Sequence, residues 1–483
     1  MLFNSYIFVL FFLPAVILIY FGLNRIRQTK AAMLFLLLMS LWFYGYFNTS
    51  YLIIILGSIA VNYSSYLLMK RSKAGVKKAV AATAVLLNVG ALFYFKYYDF
   101  FVENINSLFG SDFVLRNILL PLGISFFTFQ QLSFVIDAYK NEIPDYNIID
   151  YACFVTYFPQ LVAGPIVTHD ELVPQFADAS KKQFNWENFT KGLYAFVLGL
   201  AKKVLIADML GNVVNYGYSS IGSLDSVGAV IVMLSYTVQI YFDFSGYSDM
   251  AIGMGKMMNI ELPINFNSPY RATTINDFWD RWHITLTRFF TRYIYIPMGG
   301  NRKGSARTYL NIMLVYLVSG IWHGANWTFI FWGICHGIFC VASRMSKGFI
   351  NKLPKALNWL ITFIFVNVMW VFFRAESMSD AFLLLERVFT GGFGGIDYAL
   401  TDNIMSAEWS FLASQIAIVS KARFVILLGY IFVPLAGAVF CKTVSQRMND
   451  MKPNVVNMLV TVLLLVLCIL SFSGVSTFLY FNF

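Results

Sequence analysis

The chain has 483 residues, of which 58% are hydrophobic and only 12% charged, with a formal net charge of +10 and a mean hydropathy of +0.65. Soluble domains carry about 25% charged residues, so a water-soluble globular enzyme is excluded, and the apolar runs are continuous rather than alternating, which argues against a membrane barrel. The expected class is an all-α polytopic membrane protein, each crossing taking about 20 mostly apolar residues; the basic excess belongs in cytoplasmic loops, and without a concentrated basic patch and aromatic readers no nucleic-acid partner is expected.

In chain order, crossings are expected near 4–23, 31–46, 51–69, 79–98 and 117–138, then near 189–209, 227–245, 356–373, 425–441 and 454–478. The first run has no basic residues ahead of it and no small-residue cleavage site, so it reads as a transmembrane helix and not a signal peptide. About ten crossings follow, with the basic segments around Arg25–Lys30, Lys70–Lys78, Arg302–Arg307, Arg344–Lys355 and Lys442–Lys452 on the cytoplasmic side. The loop 210–226, the Gly-rich stretch 391–420 and both termini then fall outside. No internal repeat or soluble domain is visible. The chain reads as one transmembrane domain over 1–483, with N-terminal helices in 1–140, a core in 141–345 and C-terminal helices in 346–483.

Two stretches do not fit simple crossings. Residues 149–168 contain Pro159, Gly164 and Pro165 between flanks that both read as cytoplasmic, the pattern of a segment that enters the membrane and returns. From Tyr309 to Ser343 there is no Asp, Glu, Lys or Arg. As one straight helix these residues span about 52 Å, against a hydrocarbon core of about 30 Å. A hairpin turning inside the bilayer is expected, broken at Gly320–Asn326. From Tyr309, His323 then lies about 21 Å along its helix, deep enough for its imidazole to be a functional-site candidate.

His336 is the second histidine of this stretch, and the hairpin gives no clear reason for the two to meet. A buried histidine that bonds a neighbouring carbonyl explains either residue, and explains His336 better. The five cysteines are scattered, and Cys335, His336 and Cys340 have poor spacing for a metal site, so none is expected. Between 243 and 303, Asp277, Asp280, Arg281, His283, Arg288 and Arg292 lie close together. Helical spacing lets Asp280 meet His283 and Asp277 meet Arg281. An amphipathic helix at the cytoplasmic interface is the favoured reading of this run. Lys202 and Lys203 either snorkel and pair with acidic residues or hold a phosphate-bearing donor. Asp243 and Asp249 read as a buried structural network.

Taken together, these segments resemble the membrane-bound O-acyltransferase family, and within it the alginate O-acetyltransferase branch. The segments carrying the resemblance are MLFNSYIFVLFFLP, ISFFTFQQLSFVIDAY, YFPQLVAGPIV, GLAKKVLIAD, DFSGYSDMAIG, NDFWDRWHITLTRFF, YIPMGGNRKG and WHGANWTFIFWGICHG. The resemblance implies a ring of tilted helices around a central funnel. It makes His323, in WHG, the expected catalytic base and His283, in RWH, its polar companion. It implies an acyl thioester donor, most simply acetyl-CoA, entering from the cytoplasm, with Lys202, Lys203, Arg281 and Asn326 as candidate donor-site residues and Asn326 and Trp327 as candidate oxyanion donors. The acceptor is expected to be an extracytoplasmic polysaccharide, reached with partner proteins outside a cytoplasmic (inner) membrane in which the chain is multi-pass. D-alanyl transfer to a cell-wall polymer, a transporter, and a non-enzymatic scaffold of an export complex are the alternatives.

Overall fold

The structure is a computed structural model, described for residues 1–394, 398–404, 422–472 and 478–479. Among these residues the regular elements are helical, apart from one antiparallel bridge between Phe266 and Trp282. The protein is an all-α polytopic membrane protein. Seven described helices are long and apolar enough to cross a bilayer. Chain contacts group the residues into two units, Met1–Phe196 with Met250–Pro263, and Val197–Asp249 with Ile264–Phe483. Most of the expected exterior stretch 391–420 lies outside the described residues, as do 473–477 at the end of the last expected crossing.

The first unit begins with α1 (Phe8–Arg25), α2 (Thr29–Gly45), α3 (Ser50–Arg71) and α4 (Ala74–Phe109). Apolar side chains on their outer faces are exposed, as lipid-facing positions require: Leu18 is 73% and Ile53 76% exposed. The inner faces carry rings. Phe12 meets Phe158 edge-on at 5.3 Å between centroids, and Phe8 meets Phe43 at 5.8 Å.

The crossing expected near 117–138 begins later, as α5 (Ile124–Lys140). Gly123 just before it has φ +69°, a left-handed value that no helix interior accepts, and the Pro121 carbonyl accepts the Ile124 N–H to start the turn. The broken segment appears where the prolines place it. α6 (Ile148–Thr156) stops at Tyr157, α7 (Phe158–Leu161) makes one short turn, and the chain runs irregularly to α8 (His169–Ala177). Residues 151–169 are all buried. Their backbone is satisfied inside the protein: Gln160 Nε2 donates to the Phe154 carbonyl at 2.9 Å, and the Phe158 N–H to Ser40 Oγ at 3.3 Å.

α9 (Trp186–Ala201) continues through a π-helical turn, Lys202–Ala207, into α10 (Asp208–Ser219). α11 (Ser226–Met257) is 32 residues long. In the second unit, Lys203 lies 2.7 Å from Asp208 and 2.6 Å from Asp243, and all three are buried. The Asp243 carboxylate also accepts the Leu479 N–H at 3.0 Å. Lys202 pairs with Asp249 at 2.6 Å.

The segment favoured as an amphipathic surface helix folds inward instead. It divides into α12 (Ile275–Trp279) and α13 (Ile284–Phe290), and Phe278, Trp279, Trp282 and His283 are all buried. The aromatic residues decide this: five large apolar rings in this short run, Phe278, Trp279, Trp282, Phe289 and Phe290, are buried, more apolar surface than an interfacial helix could cover. The hairpin is present as α14 (Ser305–His323) and α15 (Trp327–Met345), with the turn at Gly324–Asn326. α14 starts four residues before Tyr309, at Ser305, so His323 stands about 27 Å from its first residue. α16 (Lys355–Arg374) and α17 (Met378–Thr390) follow, then α18 (Tyr398–Asp402), α19 (Arg423–Phe440), α20 (Val444–Asp450) and α21 (Val455–Leu470).

Candidate active site

The hairpin halves approach backbone to backbone. A Cβ placed on Gly320 would lie 2.4 Å from the Phe329 carbonyl oxygen, and one on Gly333 would lie 2.5 Å from the Tyr316 carbonyl. Small residues permit this approach, as they do in tightly packed membrane helices. Each histidine of the hairpin stands three residues beyond one of these glycines, one turn along the same face.

That packing brings His323 and His336 against the same indole. The Trp332 ring lies 5.2 Å from the His323 ring and 4.6 Å from the His336 ring. Helical spacing alone offers no reason for the two imidazoles to approach; the close glycine contact supplies it. Trp322 in turn touches both His323, at 4.8 Å, and His283, at 6.2 Å. The result is a continuous row of rings: His283, Trp322, His323, Trp332, His336 and Trp279, the last two 5.1 Å apart. Phe373 of α16 closes over His323 at 5.0 Å. His283, His323 and His336 are all buried.

His283 is held by its own loop. Residues 265–267 and 281–284 run antiparallel, with Asn267 N–H donating to Arg281 O and Ile284 N–H to Asn265 O. His283 takes φ +46°, a left-handed backbone that costs a non-glycine residue about 1–2 kcal/mol. Such a cost persists where surrounding contacts fix the geometry. Here Asn265 does so: its Oδ1 lies 3.1 Å from His283 Nδ1, 3.0 Å from the Thr285 hydroxyl and 3.3 Å from the Thr285 N–H. A backbone N–H only donates, so this amide atom is the accepting oxygen. His283 Nδ1 therefore carries the proton, and the ring's lone pair is on Nε2.

The other expected residues are placed as follows. His283 bonds Asn265 in the place that spacing offered to Asp280. Arg281 pairs with Asp277 at 2.7 Å, as helical spacing anticipated, and also donates to the Asn267 carbonyl at 3.2 Å. Asn326 caps α15, its Oδ1 accepting the Thr328 N–H at 3.0 Å, and its Nδ2 donates to Glu376 O at 2.7 Å. Trp327 is 55% exposed. His336 Nδ1 accepts from Trp279 Nε1 at 3.3 Å. Among the described residues no group of three or more His, Cys, Asp or Glu is placed to hold a metal ion.

Several contributors carried no signal in the sequence. Asn265, Trp279 and Trp332 acquire their roles through contacts between distant segments. Separately, in the first unit, His169 Nε2 lies 3.3 Å from Asp137 and its Nδ1 3.3 Å from the Tyr146 hydroxyl, a pairing between segments distant in sequence. Phe478 reaches the Phe244 ring at 5.6 Å, and Phe244 packs on His283 at 4.7 Å. A cavity of about 270 Å³ adjoins the far end of the ring row; Trp279, Tyr316, Thr287, Thr291, Ser319 and Arg344 are among its lining residues.

A buried imidazole pair in a broken-helix membrane protein defines a class that the family comparison supplies directly. The model of the membrane-bound O-acyltransferase family matches residues 28–378, and the chain belongs to that family. It is 43% identical over 417 residues to the peptidoglycan O-acetyltransferase of Helicobacter pylori, covering 80% of this chain and 79% of that one. It is 39% identical over 404 residues to the probable alginate O-acetylase AlgI of Pseudomonas aeruginosa, covering 81% and 75%. A more distant relative, the teichoic acid D-alanyltransferase of Bacillus subtilis, is 25% identical over 256 residues, 51% of this chain and 63% of that one. The protein is a membrane acyltransferase.

Proposed function

We propose that this acyltransferase moves an acetyl group from a cytoplasmic thioester, acetyl-CoA, to hydroxyls of an extracytoplasmic polysaccharide, working in the cytoplasmic membrane with partner proteins that complete the transfer outside. The observation that carries the reading is the ring row that holds two histidines against one indole, Trp322. The O-acetyltransferase names of the two more similar relatives support acetyl as the group and a cell-envelope glycan as the acceptor class.

In this mechanism the acceptor hydroxyl gives its proton to the neutral His323 imidazole as its oxygen attacks the thioester carbonyl. The tetrahedral oxyanion collapses, the C–S bond breaks, and the imidazolium returns its proton to the departing thiolate. His283, fixed in one tautomer by Asn265, orients the acceptor by taking a hydrogen bond from one of its hydroxyls at Nε2. Trp332 Nε1 is buried and has no hydrogen-bond acceptor among the described residues; its N–H is the proposed oxyanion donor. The donor arm occupies the cavity lined by Trp279 and Tyr316, and Arg281 is the proposed contact for the donor's phosphates. Lys202 and Lys203, each paired with carboxylates, hold helices together, and Asn326 shapes the turn.

The test is ester-linked acetate, released by mild base from the exported polysaccharide of cells carrying His323→Ala at wild-type membrane level. Loss of acetate with normal polymer yield supports transfer through His323. Wild-type acetate would show the imidazole to be structural. Supplying labelled acetyl-CoA to inverted membrane vesicles tests the donor, and a transporter or scaffold would not consume it.

A further inference from the structure

A second cavity, of about 330 Å³, lies in the second unit with no histidine among its lining residues. Its walls include Leu198, Leu205, Ile206, Phe242, Pro434 and Leu464, and three cations, Lys202, Lys442 and Arg447, stand at it. Two of these are neutralised within the protein: Lys202 by Asp249 at 2.6 Å and Lys442 by Asp450 at 2.7 Å. Arg447 is not. Its Nε donates to the Lys442 carbonyl at 3.3 Å, and among the described residues no carboxylate lies within ion-pair distance. Among the described residues the site therefore combines an apolar chamber with one guanidinium that has no carboxylate partner.

The helices that build the chamber face lipid. On α19, Val425 is 68%, Val433 72% and Phe440 84% exposed; on α21, Val456 is 68% and Leu463 59% exposed. Pro434 removes one backbone donor from the middle of α19. At Gly437, which lines the cavity, an added Cβ would meet nothing within 4 Å. The volume is at the small end for ligand sites, enough for part of one chain but not a whole amphiphile. Lys442, Arg447 and Lys452 put the cationic side on the cytoplasmic face, where anionic headgroups are found.

We propose that this cavity holds one anionic glycerophospholipid of the cytoplasmic leaflet, its acyl chain in the chamber and its phosphate on Arg447 and Lys442. Charge complementarity selects an anionic headgroup over a zwitterionic one, and the lipid-facing walls select a bilayer component over a water-borne phosphate.

The experiment uses the full chain in nanodiscs of equimolar phosphatidylglycerol and phosphatidylcholine, with native mass spectrometry of the lipid kept after release. The wild type should keep one phosphatidylglycerol. Arg447→Gln should lose about tenfold of the preference for phosphatidylglycerol, the scale of one charge-assisted hydrogen bond. Gly437→Leu, which fills the open space, should keep neither lipid. Thermal unfolding checks that each variant is folded; if Gly437→Leu is not, Lys442→Gln takes its place. Retention of no lipid by the wild type, or equal retention of both lipids by wild type and Arg447→Gln, would overturn the proposal. So would displacement of the retained lipid by acetyl-CoA, which would assign the cavity to the donor.

Discussion

Gly320→Ala should nearly abolish transfer while leaving most of the protein folded. The added Cβ would sit 2.4 Å from the Phe329 carbonyl oxygen and 3.1 Å from the Gly333 Cα, whereas ordinary contact begins at 3.4 Å. Both obstacles are backbone, so the two hairpin helices must separate by about 1 Å at this crossing. Overpacking of this kind costs about 1–3 kcal/mol, which a large membrane domain survives. Chemistry is less tolerant. His323 is one turn from Gly320, and a misplacement of about 1 Å at a reacting group costs roughly a hundredfold in rate. Gly337→Ala, on the partner helix α15 of the hairpin, is the internal control: its Cβ would meet the Met313 sulfur at 2.9 Å, near the end of a side chain that swings away. The assay is acetyl transfer by purified protein or acetate on the exported polymer, normalised to folded protein by size exclusion in detergent. The expected order is wild type and Gly337→Ala together, with Gly320→Ala roughly a hundredfold below. If Gly320→Ala transfers as well as Gly337→Ala, the glycine contact does not set the position of His323.

Trp332→Phe keeps a ring against both histidines but removes the indole N–H; it should lower kcat about a hundredfold with little change in KM if that N–H serves the oxyanion, and an unchanged kcat would leave that role to another donor. Asn265→Leu removes the acceptor that fixes the His283 tautomer and leaves Thr285 without it, so transfer should drop about tenfold or more, whereas Asn265→Gln should not rescue it because the longer amide cannot occupy the same three-donor position. Lys203→Met leaves Asp208 and Asp243 without their cation, a change of about 3–5 kcal/mol for a broken buried pair; a clear fall in thermal unfolding temperature is expected, and wild-type stability would mean the carboxylates are neutralised by other means.

Much of this architecture follows from patterns one residue deep. A run without charges marks a helix, and runs of Lys and Arg mark the cytoplasmic side. The charge-free stretch from Tyr309 to Ser343 is too long for one crossing, which predicts a hairpin broken within Gly320–Asn326; the structure keeps Gly320 in the first helix and turns at Gly324–Asn326. The broken segment at Tyr157 follows from Pro159 and Gly164 in the same way. What the sequence did not disclose depends on two segments meeting. Helical spacing offered Asp280 to His283, but the backbone turns left-handed at His283 itself, and residues of the preceding strand-like segment put Asn265 there. Spacing along a helix likewise keeps His323 and His336 apart, whereas a hairpin closed on two glycines sets both against Trp332. His169 and Asp137 are separated by 32 positions, and no local pattern links them.

The hairpin break also accounts for the choice of position for an imidazole. His323 is the last residue of α14, and three residues later α15 begins under its Asn326 cap. The carbonyl end of one 19-residue helix and the N–H end of another therefore meet around one side chain. A helix carries a partial negative charge at its C-terminus and a partial positive charge at its N-terminus. In the proposed mechanism the first would stabilise the positive charge that grows on His323 as it takes a proton. The second favours an anion nearby, as helix N-termini do for carboxylates and phosphates. Acyl transfer through a tetrahedral intermediate develops both charges at once, a few ångströms apart. In water these partial charges would be screened to little effect, but among Trp322, Trp332 and Phe373 they act at a low dielectric. A straight helix through the same depth would bury the imidazole equally well, yet it would offer neither helix end to the reaction.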